Sequence, residues 1–246
     1  MPNPIKLVHL YPTLCSLYGD WANVAVLERH LRDLGLEVTV EKVETVAQAD
    51  LQNAAFVFMG AATEKSQKAA LADLMTRRDE IVSLAEAGVP MLFTGCSFEL
   101  LGQQVIDADG RVYDALGLCA FHSVEGEKRI VGDVYGVSSL YDAPVVGFMN
   151  KCSRTVGVET PLLSALSRGF GNSEDLGGEG VVAGSVVGTH LTGPVLVKNP
   201  LLLRHFAAAI CRRAGAAVPE TWPAYPYEEQ GYAITARELR KRFEKA

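Results

Sequence analysis

A chain of 246 residues with a formal net charge of −6 is long enough for one large domain, whose core takes roughly three quarters of the unfolded chain's surface out of water. The acidic balance and the lack of a basic stripe exclude nucleic acid or an anionic membrane as the main partner. No apolar run reaches spanning length, and Met1-Pro-Asn-Pro-Ile-Lys6 does not open a secretory leader, so a soluble, cytoplasmic protein without membrane insertion is expected.

Ile5 to Leu10 is an apolar run suited to a central strand, and Tyr11-Pro12 ends it because proline offers no donor to a neighbouring strand. After a loop from Thr13 to Gly19, Asp20 reads as the N-cap of a helix with Val24, Leu27, Leu31 and Leu34 on one face, closed by Gly35. Leu36 to Val43 alternates as a strand does, and Ala54 to Met59 is continuously apolar, the signature of a strand buried on both faces. A long helix is predicted from about Glu64 to Ala87, with Gly88 closing it. Strands alternating with helices predict an α/β fold, with a mostly parallel sheet and helices on both faces.

Pro90 to Thr94 reads as a short buried strand, and Phe98, Leu100 and Leu101 as the apolar side of a helix that starts at once. Only Gly95-Cys96-Ser97 separates them. Such an elbow needs left-handed or strained backbone, which Gly95 tolerates, and it sets Cys96 at a helix N-terminus, where free N–H groups favour the nucleophilic thiolate. The alternative is that Cys96 is a small buried hydrophobe. Ser97 lacks the G-x-S-x-G frame of a hydrolase serine. Glu99, one turn on, is either a proton acceptor and anionic neighbour that raises the thiol's pKa or a solvated capping group. Cys15, Cys96, Cys119, Cys152 and Cys211 are odd in number and widely spaced, which points to a reducing compartment and no structural metal. No cofactor is expected.

Beyond Gly102 the pattern turns to β, with runs at Val124 to Val134, Pro144 to Phe148, Gly180 to Val187 and Pro194 to Val197. The glycine-rich stretch Gly169 to Gly180 lacks phosphate-loop spacing and reads as a hairpin loop. Leu201 to Ala214 returns to helical spacing, so residues 1–215 are expected as one domain. Residues 216–246 then form a Pro/aromatic linker, Pro219 to Tyr227, and a short helix opened by the capping box Thr235-Ala-Arg-Glu238. That helix either packs back on the domain or docks on a partner.

Several stretches together resemble one family. Leu10-Tyr-Pro-Thr-Leu-Cys-Ser-Leu-Tyr-Gly-Asp-Trp-Ala-Asn23, Arg129-Ile-Val-Gly-Asp133, Gly147-Phe-Met-Asn150 with Arg154-Thr155, Gly169-Phe-Gly-Asn172, Glu179-Gly180 and Gly188-Thr-His-Leu-Thr-Gly-Pro-Val-Leu-Val-Lys-Asn-Pro200 occur in the family's order. They are similar to the cobyric-acid-synthase-like branch of class I glutamine amidotransferases, and within it to the glutaminase subunits of lipid II isoglutaminyl synthases. The resemblance covers about residues 5 to 212. It implies a flavodoxin-like sheet and a Cys/His pair that hydrolyses L-glutamine through a thioester. The ammonia would pass to a Mur-ligase-like ATP-dependent partner that amidates the peptidoglycan precursor.

Aligned without gaps, the family's Cys-Gly-Gly-Tyr-Gln-x-Leu-Gly falls on Gly95 to Gly102, so Gly95 stands at the nucleophile position and Cys96 one place later. The histidine motif puts Thr192 at the catalytic position and His190 two places earlier. The oxyanion loop reads Gly60-Ala-Ala-Thr-Glu64, and the family's Asn-His-Gly-Gly reads Asn150-Lys-Cys-Ser153. The resemblance assigns Arg129 to the glutamine carboxylate, for which a forked guanidinium is suited; a surface ion pair is its other reading. Asp20 and Asn23 read as capping and loop-bracing groups or as part of a partner interface. Two readings of the altered pocket stand. In one, Cys96 and His190 form a displaced pair, since strand residues two apart share a face about 7 Å apart. In the other, the glutamine site has lost hydrolysis and the scaffold serves as a binding or regulatory subunit.

Overall fold

The computed structural model describes residues 4–168, 170–173 and 177–244. The apolar runs of the first half become β1 (Ile5–Leu10), β2 (Val38–Val43), β3 (Ala54–Met59) and β4 (Met91–Thr94), connected through helices α1 (Ala22–Asp33), α2 (Glu64–Leu74) and α3 (Arg78–Glu86). The second half supplies β5 (Gln104–Ile106), β6 (Val112–Asp114), β7 (His122–Ser138), β8 (Pro144–Val156), β9 (Leu163–Arg168), β10 (Val181–Ala183), β11 (Val186–Thr189) and β12 (Leu191–Thr192). Helices α4 (Val195–Lys198), α5 (Pro200–Arg213) and α6 (Pro226–Glu244) complete the chain.

Two sheets result. The first has the order β10-β11-β4-β3-β1-β2, parallel throughout except for the antiparallel β10. Alternate residues of its strands face opposite layers, as the period of two requires. Leu7, Phe56, Phe58, Leu92 and Val187 pack with Leu27 and Leu31 of α1 and with Leu202 and Phe206 of α5. Val8, Val57, Met59, Met91, Phe93 and Val186 pack with Leu71 and Leu74 of α2 and Ile81 of α3. Each of these buried side chains is worth about 1.5–3 kcal/mol of transfer free energy. The second sheet, β12-β8-β7-β5-β6 with β9 also on β7, sends Val134, Val145 and Met149 into the cluster of α1 and α5. This is the expected α/β architecture, with a second half richer in strands.

Several elements differ from the sequence expectation. The long helix breaks into α2 and α3 at a 3₁₀ turn, Met75–Arg77, because Arg77 donates to the carbonyls of Val46 and Ala49, both at 2.7 Å, and so fixes the turn from outside. The elbow helix is 3₁₀ rather than α, from Gly95 to Leu101. Its backbone is held by Gln67, which donates to the Cys96 carbonyl, and its end by Phe121, which crowds Gly102. Pro194 to Val197 is not a strand, because the Asn23 carboxamide accepts the Leu196 amide at 2.8 Å and the segment coils into α4. Gly180 to Val187 is a hairpin, β10–β11, turned at Gly184 with φ +59.

The tail helix starts at Pro226 rather than near Thr235 and runs 19 residues. It packs back on the fold: Tyr225 stacks on His30 at 3.7 Å, Glu228 meets His30 Nε2 at 2.9 Å, Tyr232 donates to the Pro144 carbonyl, and Leu239 is buried. Of the glycine-rich stretch Gly169 to Gly180, residues 169 and 174–176 lie outside the described residues; in the remainder, Asn172 accepts from the Gly180 amide and donates to its carbonyl, both at 2.9 Å. Among the described residues no helix is long and apolar enough to cross a membrane, and no cluster of three or more His, Cys, Asp or Glu residues is placed to hold a metal ion.

Candidate functional site

At Gly95, with φ +60, the chain turns out of β4 and delivers Cys96 to a cavity of about 200 Å³. The opposite walls come from Tyr18 after β1, Ala61 to Glu64 after β3, and Arg129, Asn150 and Thr192 of the second sheet. The site is therefore a junction between the C-terminal ends of the first sheet's strands and the face of the second, where open α/β sheets generally place their ligands. Of the residues singled out in the sequence, Cys96, Arg129, Ala61 and Asn150 line this one cavity. Gly60 and His190 are not among the residues lining the cavity.

Cys96 is not the expected thiolate. Its Sγ donates to the Ala62 carbonyl at 3.0 Å. Burial of the sulfur, reinforced by the neighbouring Glu99 carboxylate, raises its pKa well above the ordinary thiol value. The dipole argument fails because seven residues of 3₁₀ geometry replace the α-helix whose N-terminus was to stabilise the anion.

His190 lies where the chain leaves one sheet for the other, since β11 ends at Thr189 and β12 begins at Leu191. The two-residue period that would turn it to the side of Thr192 does not cross that junction, and the expected Cys96–His190 pair is absent among the described contacts. The fully buried ring instead has Nε2 3.5 Å from Glu99 Oε1 and Nδ1 3.6 Å from Glu179 Oε1, edge-on to Phe98 at 4.6 Å. Burial pushes Glu99 upward, but His190, Ser153 and Gln67 together hold its carboxyl below the ordinary range. Glu179 accepts from the Thr189 hydroxyl at 2.7 Å and the His190 amide at 2.6 Å. Lys151, also buried, donates to the Gly171 carbonyl at 2.7 Å, and burial lowers it to about 8. Two carboxylates flank the one imidazole with a buried ammonium nearby, and the polar core ties the elbow to β8 and β11 while His190 Nδ1 is left without a hydrogen bond.

Asp20 is not a cap. Fully buried, it accepts from the Ala61 amide at 2.6 Å and the Thr94 hydroxyl at 2.7 Å, and burial pushes it up to about 7. Asn23, as expected, braces a loop. Gly60 lies against the Cys15 carbonyl, where a Cβ would collide, and accepts from Ser97 Oγ at 2.7 Å. Where the alignment expects a nucleophile, an ideal Cβ on Gly95 would stand 2.5 Å from the Ala61 Cβ and 3.5 Å from Thr192 Cγ2.

A chain of hydrogen bonds crosses the open side. Asn150 donates to the Tyr18 hydroxyl at 2.7 Å, Arg129 Nη1 to Asn150 Oδ1 at 3.0 Å, and Arg129 Nη2 to Glu64 Oε1. Cys152 donates to the same Glu64 oxygen at 3.2 Å. Sequence reasoning missed the parts of Tyr18, Glu64, Lys151 and Glu179. Tyr18 and Glu179 stand inside motifs that carried the resemblance, and Glu64 and Lys151 inside the altered motifs, but nothing local shows that these distant segments converge.

A parallel sheet whose fourth strand runs through an elbow into a polar cavity closed by a second sheet defines a glutamine-amidotransferase fold. PurLQS from Thermotoga maritima superposes with a TM-score of 0.53 at 14% identity, covering 86% of this chain and 96% of that one. The chain belongs to the CobB/CobQ-like glutamine amidotransferase domain family, whose sequence profile matches residues 6–200. It is similar to the subunit GatD of lipid II isoglutaminyl synthase (glutamine-hydrolyzing) from Streptococcus pneumoniae, 29% identical over 91% of this chain and 86% of that protein. The same subunit from Staphylococcus aureus is 25% identical, with 86% of each chain covered.

Proposed function

We propose that this chain is the amidotransferase-like subunit of a cytoplasmic, lipid II-amidating enzyme that also contains a Mur-ligase-like ATP-dependent partner, and that its pocket holds glutamine without hydrolysing it. The extent and order of the similarity to the two GatD subunits support the first part. The second part rests on one observation: the cavity thiol and the His190 imidazole have different partners, Ala62 and Glu99.

Thioester chemistry needs a thiolate with a base in hydrogen-bond reach and donors aimed at the developing oxyanion. Here the thiol is held neutral, the Ala61 amide of the former oxyanion loop is committed to Asp20, and Thr192, a hydroxyl bonded to the Phe148 carbonyl at 3.2 Å, lines the cavity where the family motif has histidine. Arg129, Asn150 and the loop from Ala61 to Glu64 remain as the binding wall. No cofactor enters this reading. The competing reading keeps Cys96 as nucleophile and His190 as its base; the presence of Cys96 in the same cavity as Arg129 favours it.

Glutamine hydrolysis by the purified chain, alone and with the Mur-ligase-like partner, separates the two when wild type and Cys96→Ala are compared. The proposal expects a stable complex with no Cys96-dependent ammonia release. Turnover abolished by Cys96→Ala would establish the displaced nucleophile instead.

A further inference from the structure

The cavity described above contains a carboxylate of its own, Glu64, bonded to the arginine that lines it. Resting on the reading that this pocket takes a small carboxylate ligand, we infer that Glu64 is an internal stand-in for that ligand's carboxylate: it occupies Arg129, and a molecule with a terminal carboxylate enters only by displacing it.

The geometry is that of an intramolecular competitor. Arg129 is the sole cation lining the cavity among the described residues, and its fork is split, one nitrogen to Glu64 and the other to Asn150. A free carboxylate would engage both nitrogens at once, a stronger arrangement than one contact. Glu64 opens α2 at its N-terminus, and Thr63, not Glu64, caps that helix by accepting the Ser66 amide at 3.1 Å. Release of the Glu64 side chain therefore leaves the helix intact. Burial opposes ionisation of Glu64, but its own amide, Arg129 and the Cys152 thiol hold it below the ordinary carboxylate range, so it is an anion throughout the neutral range. Burial pushes that thiol up to about 12, so Cys152 is a neutral donor to Glu64 and not a rival anion.

The latch is also weak enough to open. The two side chains are 46% and 30% exposed, a setting in which ion pairs contribute little. A volume of about 200 Å³ lies below the range of about 300–1,000 Å³ typical of drug-sized ligands. The occupant is thus of amino-acid size, with a carboxylate at one end and a group for the Cys96–Thr192 end at the other.

The probe that isolates this competition is the half-amide of glutaric acid, which is glutamine without its amino group and so gives Glu64 nothing to attract. Calorimetric titration of the full-length chain is expected to show about fivefold tighter binding in Glu64→Ala than in wild type, the order by which a part-exposed ion pair competes. Glu64→Gln should lie between them, and Arg129→Gln in the Glu64→Ala background should abolish binding. Circular dichroism of each variant checks the fold. Equal or weaker binding by Glu64→Ala, with measurable wild-type binding, overturns the stand-in role while leaving the pocket reading in place. No binding by any variant with an intact fold overturns both.

Discussion

Gly95 sits at φ +60, and a Cβ built there would lie 2.5 Å from the Cβ and 3.0 Å from the Cα of Ala61. The loop after β3 has thus filled the space that a nucleophilic side chain at this position would need, and the two residues constrain each other. Gly95→Cys alone is expected to destabilise the chain by about 2–4 kcal/mol, from left-handed backbone strain and overpacking together. In an Ala61→Gly background the clash with the Ala61 Cβ disappears and only the 3.0 Å approach to its Cα stays, so the loss falls to the roughly 1–2 kcal/mol of backbone strain plus a small residue of overpacking. Urea unfolding of the four proteins in that cycle measures the coupling, and an identical loss in both backgrounds would show that Ala61 does not block the position. Placing a cysteine at position 95 therefore takes two simultaneous changes in segments 34 residues apart. At this scale the sequence showed where Cys96 would stand but not its protonation, because the groups that set it, Ala62 and Glu99, act through folded geometry.

Elements were legible in proportion to how far their own side chains determine them. β1 and β3 are apolar runs buried between two helical layers, and their bounds match the sequence reading. The 3₁₀ form of the elbow helix, the α2–α3 break and α4 were not legible, since Gln67, Arg77 and Asn23 impose them from elsewhere in the chain. The tail helix was under-read for the same reason, its first turn being anchored from outside. Alone, a helix of 19 residues with one buried side chain is marginal in water. Its anchor is Tyr225, which stacks on His30, donates to Asp33 at 2.7 Å and lies under Arg29 at 5.2 Å. Tyr225→Ala should release α6 as a local unit. Amide exchange in residues 226–244 is expected to speed up by at least tenfold while β1, β3 and β4 keep their protection. An equal change in the central strands would mean that α6 is part of the cooperative core.

Across the whole molecule, two buried ionisable groups on the first sheet and its connections load stability with opposite pH dependence. His9, fully buried against Phe58 at 5.1 Å and without a hydrogen bond on either ring nitrogen, is lowered by burial, with a smaller effect of Lys42, from 6.5 to about 4. Between those values the unfolded chain holds the extra proton, so stability rises with pH and the contribution is complete above pH 6.5. Burial raises Asp20 from 3.8 to about 7. There the folded chain holds the extra proton, so stability falls as pH rises and the full penalty is present above about pH 7. Each effect is on the order of 3 kcal/mol, and over their shared window they oppose each other in the wild type. From pH 4.5 to 7.5, Asp20→Asn should therefore gain stability relative to wild type, and His9→Leu should lose it, each by on the order of 3 kcal/mol. Chemical denaturation at three pH values measures both differences, in which all other titrating groups cancel. Variants offset from wild type by a constant at every pH would show that neither group titrates with folding. The predicted pattern would mean that the carboxyl bracing the Ala61 loop is tolerated at neutral pH against a penalty, as expected of a group kept for the shape of the site rather than for stability.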